Sequence, residues 1–339
     1  MPKKKKYSSF PYILIVTLLH IAGITGLLFS MPNHPVLLGM GILSYTLGLR
    51  HAFDVDHIAA IDNTVRKLVE QKKNPIGVGF FFSLGHSTVV VLLTIFTAFS
   101  VQWVGQKLPQ MKEMGGYIGT IVSGSFLLLI GVLNLIILFD IFRVFLSMRE
   151  KHYKETEMEQ LLLARGFLSR FVQPLFAFIN RSWHVYPIGF LFGLGFDTAS
   201  EVALLTLSAG AAQHVLPIYG ILSLPILFAA GMSLLDTADG IFMTTSYKWA
   251  FDKPIRKVYY NLTVTAISVF AALFIGMIEL AQIAIPYIGL QGGIWGYIEN
   301  LELGNLGYIL VILFILVWGI SYFAWKFFHI EERWSQKHT

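Results

Sequence analysis

The sequence contains no cysteine and little charge. Only 13% of its 339 residues are Asp, Glu, Lys or Arg, about half the share that is typical of soluble domains. The missing cysteines exclude disulfide frameworks, thiolate metal sites and cysteine nucleophiles. The sequence also lacks a Gly-x4-Gly-Lys-Ser/Thr motif and a His-Glu-x-x-His motif, which excludes ATP use through a P-loop and a zinc protease of that type.

Long apolar runs take the place of the missing charge. Hydrophobic residues make up 55% of the chain, and its mean hydropathy is +0.65. No acidic or basic residue occurs within 7–49, 74–106, 202–235 or 303–325. Because a spanning helix needs about 20 apolar residues, these runs predict an all-α polytopic membrane protein in which 1–339 form a single transmembrane domain.

Apolar runs, charge clusters and Pro/Gly breaks together predict eight transmembrane helices. The second and sixth are long and rich in Gly, Pro and acidic residues, which makes them candidates for breaks or tilt. The eight predicted helices lie near 10–30, 36–62, 76–100, 117–142, 185–210, 217–246, 258–285 and 305–328.

The basic residues lie in the N-terminal tail, in alternate loops and at the C-terminal end. Only Arg50, within a span, and Lys107 and Lys112, in an outer loop, depart from this pattern among the 25 Lys and Arg residues. By the positive-inside rule both termini are expected in the cytoplasm. The net charge of +5 therefore reflects membrane topology and the lipid bilayer as partner, with no nucleic acid. The mixed segment 147–183 is expected to be a cytoplasmic connector between helices 4 and 5, lying on the membrane surface.

Seven carboxylates fall inside the predicted spans. Each charged acid near a helix centre costs roughly 2.5–3.5 kcal/mol on insertion scales, so seven cost on the order of 20 kcal/mol. Arg50 is the single intramembrane base and cannot balance them. Protons, bound cations or a water-filled cavity remain, and all three indicate transport or intramembrane catalysis. The seven acids are Asp54, Asp56, Asp62, Asp197, Glu201, Asp236 and Asp239.

The acids of the second predicted helix alternate with histidines. On a regular helix His51, Asp54 and His57 would share an arc of about 120°, with Asp56 behind His57. Hard ions prefer oxygen ligands alone, whereas imidazole suits Ni, Co, Zn and Cu. The pattern predicts a site for a divalent transition metal. His86, in the third predicted helix at a similar depth, is a candidate further ligand or proton carrier.

The predicted fifth and sixth helices carry the remaining acids in two pairs, each one helical turn apart. These pairs are Asp197 with Glu201 and Asp236 with Asp239. The first acid of each pair precedes a threonine, Thr198 or Thr237, whose hydroxyl can hydrogen-bond a carboxylate or a ligand. Packing of small residues explains the surrounding glycines and alanines, but it does not explain the acids.

Four segments carry these residues in order: Arg-His-Ala-Phe-Asp-Val-Asp-His-Ile at 50–58, Gly-His-Ser at 85–87, and the acidic motifs at 194–201 and 231–239. Together they resemble the nickel/cobalt transporter (NiCoT) family of secondary permeases. The chain departs from that family's motifs only at Val55 and Ser200, where Ala and Thr are usual. Both changes preserve every candidate ligand.

The resemblance implies high-affinity uptake of Ni²⁺, Co²⁺ or both across the cell membrane into the cytoplasm. The metal is then a transported substrate, no prosthetic group is expected, and the protein is not an enzyme. The second-helix signature would be the core of metal recognition, and the acids of the fifth and sixth helices would be needed for transport. Urease and hydrogenase maturation proteins are the usual consumers of such nickel.

The working hypothesis makes His51, Asp54, His57 and His86 the metal ligands. Three residues of the second span would orient ligands or gate the site: Arg50, Asp56 and Asp62. Among them, Asp56 would hold an imidazole through its second nitrogen. The route or proton exchange would use Asp197, Thr198, Glu201, Asp236, Thr237 and Asp239. An ion gradient or the membrane potential would supply the energy.

Other interpretations remain open at this point. An inverted repeat would relate spans 2–4 to spans 5–7, as in many secondary transporters. A cation/proton antiporter would not need the paired histidines. An exporter of the same metals has the same residues, because side chains do not encode direction. An intramembrane aspartyl protease using Asp197 and Asp236 would leave His51 and His57 unexplained.

Overall fold

The structure, a computed structural model, describes residues 8–99, 101–150, 179–195, 199–213, 216–251, 254–301, 303 and 306–327. Within these ranges the elements are eleven α-helices and a short 3₁₀ helix, Ser182–Val185, with no β-strand. The helices are α1 (Phe10–Ser30), α2 (Val36–His51), α3 (Val55–Glu70), α4 (Val78–Phe99), α5 (Val101–Glu150), α6 (Tyr186–Gly193), α7 (Ala199–Gln213), α8 (Ile218–Phe251), α9 (Pro254–Ile288), α10 (Gly293–Glu299) and α11 (Leu306–Phe327).

Six helices of the described ranges are long and apolar enough to cross a membrane. They include α1, α4, α8 and α11, together with the stretch Met114–Phe139 of α5 and Leu262–Ile288 of α9. The prediction of an all-helical, multi-pass membrane protein is confirmed. The helices α1 and α11 lie at the periphery with large apolar side chains exposed, such as Phe29 and Phe323, which suits contact with lipid.

The predicted second span is not one helix. Helices α2 and α3 meet at a bend of 52°, and Asp54 before α3 has extended backbone (φ −63°, ψ 137°). The backbone amide of Asp54 donates to the carbonyl of His51 over 2.9 Å, so the chain turns tightly before α3 begins. A break or tilt was expected in this span, and the break lies between His51 and Val55. The alignment of His51, Asp54 and His57 on one arc of a regular helix is therefore wrong. Bent as a pair, the two helices still pass as one span.

The predicted fifth span is also divided, because α6 ends at Gly193 and α7 begins at Ala199. Asp197 and Thr198 lie outside the described residues. The predicted sixth span, by contrast, is continuous: α8 runs unbroken through Pro225.

The fourth predicted span is part of a much longer helix. Expected at 117–142, it belongs to α5, whose 50 residues correspond to roughly 75 Å at the usual rise per residue. The predicted connector 147–183 begins within α5, which ends at Glu150, and closes at the 3₁₀ helix that starts at Ser182. Its central part, 151–178, lies outside the described residues.

Helix α3 is polar in composition but enclosed by protein. Thirteen of its sixteen residues are buried, and it packs against α4, α5, α8, α9 and α11. Arg66 and Lys67, which the sequence suggested for a cytoplasmic loop, belong to α3 and are each only 1% exposed. The apolar positions of α3 explain the difference, because Ile58, Ile61 and Val65 join the main hydrophobic core and carry the neighbouring polar residues inside.

Two close helix crossings set the geometry around α3. In the first, α2 crosses α8 at two glycines: a Cβ at Gly48 would collide with the carbonyl of Phe228, and a Cβ at Gly231 would lie 2.7 Å from the carbonyl oxygen of Tyr45. Each glycine thus faces the residue three positions before the other glycine. We call this contact the α2/α8 crossing.

The second crossing repeats that arrangement between α4 and α6. A Cβ at Gly85 would collide with the carbonyl of Tyr186, and a Cβ at Gly189 would collide with the carbonyl of Phe82. This contact is called the α4/α6 crossing. Its Tyr-x-x-Gly and Phe-x-x-Gly segments have the residue types and spacing of the first crossing.

Candidate metal centre

Three histidines from three helices meet inside the protein. His51 ends α2, His57 lies in the first turn of α3, and His86 lies in the middle of α4. Their potential ligand atoms all lie within 4.8 Å of one another, and the three rings are separated by 4.7, 4.7 and 4.8 Å between centroids. All three side chains are buried. The bend between α2 and α3 therefore brings the predicted histidines together, although the regular helix used to align them does not exist.

Donor atoms of His51, His86 and Glu201 form a nearly right-angled triangle. The Nε2 atoms of His51 and His86 lie 2.9 Å apart, His86 Nε2 lies 2.7 Å from Glu201 Oε1, and His51 Nε2 lies 3.9 Å from the same oxygen. The midpoint of the longest side is thus equally far from all three atoms. That distance is half of 3.9 Å, about 2 Å, which is the usual length of a metal–imidazole bond. Three donors at corners of a square suit the square-planar and tetragonal N/O sites of Ni(II) and Cu(II).

Asp54 contacts the other nitrogen of His51. Its Oδ2 accepts a hydrogen bond from His51 Nδ1 over 2.7 Å, and its Oδ1 lies 4.0 Å from the guanidinium of Arg50. A carboxylate on Nδ1 fixes the tautomer in which Nε2 carries no proton and its lone pair can bind a metal. This contact suits a residue that orients His51, and the prediction that Asp54 binds the metal directly stays a prediction.

Asp236 contacts His57 at Nδ1, the same ring nitrogen that Asp54 contacts on His51. His57 Nδ1 lies 3.4 Å from Asp236 Oδ2, and His57 Nε2 is buried with no hydrogen-bond partner among the described residues. The sequence had assigned such a contact to Asp56. That carboxylate instead accepts the backbone amide of His57 over 3.0 Å, as expected for an acid in the first turn of a helix.

Aromatic rings close the centre on two sides. The ring of Phe228 lies 5.6 Å from that of His51, and the ring of Phe82 meets that of His57 edge-on at 4.8 Å. Both phenylalanines belong to the glycine crossings described above. Because they exclude water, charges within the centre interact more strongly than they would in solution.

No contact with the three histidines is seen for Asp62, Thr237 or Asp239 among the described residues. Asp62 accepts a 2.6 Å hydrogen bond from the hydroxyl of Tyr247, further along α3. Asp239 lies one turn beyond Asp236 on α8, and the Thr237 hydroxyl is buried without a partner among the described residues. The predicted pair Asp197 and Thr198 lies outside the described part of the chain.

Sequence reasoning missed the buried polar residues around Asp62. They are Asn63, Arg66 and Tyr247. A signal was available, because α3 combines regularly spaced aliphatic residues with charged ones over four turns. Such a helix is amphipathic and needs protein on its apolar side, which argues against a solvated loop.

Comparisons with known proteins place the chain among transporters of nickel and cobalt. A family model described as NicO, high-affinity nickel-transport protein, matches residues 37–324. The nickel transporter NixA of Staphylococcus aureus is 59% identical over 334 residues, covering 98% of this chain and 99% of that protein. The high-affinity nickel-transport protein NixA of Helicobacter pylori strain J99 is 52% identical over 326 residues, with coverages of 94% and 96%. The cobalt transport protein NhlF of Rhodococcus rhodochrous is 40% identical over 312 residues, with coverages of 89% and 88%. No solved structure matches this chain.

Proposed function

The chain belongs to the family of high-affinity nickel-transport proteins, which are transporters and not enzymes, and we propose that it carries Ni²⁺ and Co²⁺ across the cell membrane into the cytoplasm. The observation that carries this proposal is the right-angled set of two imidazole nitrogens and one carboxylate oxygen. Mg²⁺ and Ca²⁺ prefer oxygen ligands alone, so a nitrogen-rich set of this shape favours late transition metals. Nickel released inside would be available to the maturation proteins of nickel enzymes.

The ligands follow from the contacts of each donor. His51, His86 and Glu201 would bind the metal in one plane, and His57 would add its unpartnered Nε2. Asp54 and Asp236 would hold His51 and His57 through Nδ1. Carboxylates in this outer position typically change metal affinity by 10–100-fold. Three carboxylates at the centre also offset the charge of a divalent cation.

The membrane potential is a sufficient source of energy. When a divalent cation moves inward across a potential of 100 mV, inside negative, its free energy falls by about 4.6 kcal/mol. This is enough for roughly a 10³-fold accumulation. Imidazole binds metal only when neutral, so metal entry releases any proton held there. Asp197, Thr198, Thr237 and Asp239 would line the route on either side of the centre.

The topology that fits this function has eight spans with both termini in the cytoplasm. Counting the bent pair α2 and α3 as one span, and α6 and α7 as another, adds two spans to the six uninterrupted helices. The basic residues then collect on the cytoplasmic side. In this topology 147–183 connects the fourth and fifth spans in the cytoplasm, within a single transmembrane domain.

An inverted repeat of spans 2–4 and 5–7 is supported by the two glycine crossings. In each half a broken span crosses an unbroken helix of the other half, and both crossings use Tyr-x-x-Gly against Phe-x-x-Gly. The pairs that the repeat would exchange, α4 with α8 and α5 with α9, pack against each other. The metal centre lies beside these crossings, as binding sites do in transporters with inverted repeats.

The test is uptake of radioactive ⁶³Ni²⁺ into cells that express the protein. We expect accumulation by the wild type, at least a tenfold loss in Glu201→Gln and His86→Ala, and suppression by excess Co²⁺ but not Mg²⁺. His20→Ala is the matched control, because His20 contacts the Val16 carbonyl and Tyr45 and lies outside the centre. Membrane levels of each variant are measured by immunoblot.

Two outcomes would contradict the proposal. Equal uptake by the wild type and by cells without the protein would exclude import, and nickel loss from preloaded cells would then indicate an exporter. Uptake that survives in both centre variants would exclude the histidine centre as the route. Cation/proton exchange would be indicated if Mg²⁺ or Na⁺ moved protons through the protein in vesicles while Ni²⁺ did not.

A further inference from the structure

A second buried polar cluster lies further along α3 than His57, and none of its residues is among the proposed metal ligands. Its core is Asp62 on α3, which is 0% exposed. Tyr247 donates to Asp62 Oδ1 over 2.6 Å, but Oδ2 is buried with no hydrogen-bond partner among the described residues. An unpartnered carboxylate oxygen in the interior is costly, so it calls for an explanation.

Asp239 on α8 adds a second unpartnered oxygen. Its Oδ2 is buried without a hydrogen-bond partner in the described part of the chain. The next residue, Gly240, packs beside the residue that precedes Asp62, because a Cβ at Gly240 would lie 3.8 Å from Ile61 Cγ2. At that range the charge of Asp239 interacts with those of Asp62 and Asp236. Asp236 in turn contacts His57. The three acids therefore form a chain of electrostatic contacts that leads from the histidine centre to Asp62.

Arg66 supplies a positive charge beside this pair of acids. It lies one turn beyond Asp62 on α3, is 1% exposed, and interacts electrostatically with that carboxylate. One amino group donates to Asn63 Oδ1 over 3.1 Å, and the same oxygen accepts from Asn134 Nδ2 over 2.7 Å. The Nε and Nη1 atoms of Arg66 are buried and have no hydrogen-bond partner among the residues that the structure describes. Among the described residues, the guanidinium is therefore hydrogen-bonded through one amino group, while its other nitrogens have no hydrogen-bond acceptor.

We propose that Asp62 and Asp239 form a second cation site, made of oxygen donors, and that the positive charge of Arg66 weakens the binding of a cation there. Two carboxylates and a guanidinium carry a net charge of −1 without a divalent cation and +1 with one. A bound cation is therefore repelled by Arg66 and held weakly. The inference rests on the proposed function in taking this cation to be the transported metal.

The chemistry of the two sites defines an order along α3. Imidazole nitrogens bind Ni²⁺ and Co²⁺ more tightly than carboxylates alone do, whereas an oxygen site suits harder cations. The histidine centre selects the metal, and the weaker inner site receives it and releases it. Conduction requires such weak, successive binding, because an ion held tightly at its last site does not leave. From Arg66, α3 continues to the basic loop at Lys72 and Lys73, which is cytoplasmic in the proposed topology.

The probe is Mn²⁺, which prefers oxygen ligands and whose free ion is measured by electron paramagnetic resonance. Purified full-length protein carrying His51→Ala is used so that the outer centre is disabled. We expect Mn²⁺ binding that falls at least tenfold in Asp62→Asn and in Asp239→Asn. Arg66→Gln should tighten binding at least tenfold, because the competing charge is gone, while Arg66→Lys should leave it within threefold. Glu279→Gln is the matched control, since Glu279 is a buried acid of α9 outside the cluster.

Each result decides between the second site and a structural role. Unchanged Mn²⁺ affinity in both aspartate variants, or weaker binding in Arg66→Gln, would overturn the proposal. A variant that unfolds is recognised by its lowered Tm, and Arg66→Gln and Asp239→Asn decide the matter if Asp62→Asn does not fold. Nickel uptake by the same variants separates the two proposals. If nickel uptake requires His51 but Mn²⁺ affinity is unchanged in Asp62→Asn, only the inner site is refuted. If nickel uptake persists in His51→Ala, only the histidine route is refuted.

Discussion

Glu201 Oε1 lies 2.7 Å from His86 Nε2, which joins an acid of the second half of the chain to a histidine of the first half. The same oxygen lies 3.9 Å from His51 Nε2. One carboxylate therefore completes a set of donors that α2 and α4 begin. It also means that this set of potential donors is complete only when α7 packs against α4.

Replacing Glu201 with Gln keeps the shape of the side chain but removes its charge. We expect equilibrium binding of ⁶³Ni²⁺ to the purified protein to weaken by about 10–100-fold, because a neutral amide is a poorer ligand for a divalent cation. Glu279→Gln provides the control. Affinity equal to that of the wild type would show that Glu201 does not bind the metal.

If Asp54 orients His51 and does not bind the metal, its replacement should have a graded effect. In Asp54→Asn the amide no longer requires the Nδ1–H tautomer of His51, so nickel affinity should fall about 10–100-fold and remain measurable. His51→Ala should lower it further. If Asp54→Asn and His51→Ala were equally damaging in a calorimetric titration, Asp54 would have to be a direct ligand.

The α2/α8 crossing predicts a sharp contrast between two glycines of the same helix. Gly48→Ala places a methyl group against the Phe228 carbonyl, whereas Gly39 has nothing within 4 Å of the added atom. Overpacking of this kind costs about 1–3 kcal/mol, so Gly48→Ala should lower the Tm of the purified protein by several degrees. Gly39→Ala should leave the Tm unchanged, and equal Tm values for both would show that α2 and α8 are further apart.

The contact between α4 and α8 can be tested by a disulfide, because the chain has no cysteine of its own. The hydroxyls of Ser83 and Ser233 lie 3.0 Å apart and both are buried. The double variant Ser83→Cys/Ser233→Cys should form a disulfide under mild oxidation, seen as loss of maleimide labelling after denaturation. The two single variants, which have no second thiol, should label fully. Retained labelling in the double variant would contradict this packing.

Much of the membrane class follows from local composition alone. Charge-free runs of more than 20 residues can satisfy their backbone polar groups in lipid only as helices, so helices within 10–30, 76–100 and 303–325 are recognisable without a fold. The bend at Asp54 cannot be recognised in this way, because mean hydropathy is averaged over many residues and does not register a turn of a few. Arg66 was assigned to a loop for the same reason. Local hydropathy includes its charge but carries no information about the hydrophobic core that surrounds it.

The sequence by itself determined the chemistry of the centre: His51, His57 and His86 stand in motifs whose residue types suit a late transition metal. Only the tertiary structure decided which carboxylates accompany them. Glu201 reaches His86 across 115 positions, and Asp236 reaches His57 across 179 positions. Contacts of that range depend on how closely the helices cross. That approach is set by glycines facing backbone carbonyls at Gly48 and Gly189, a steric relation that appears only when both partners are in place.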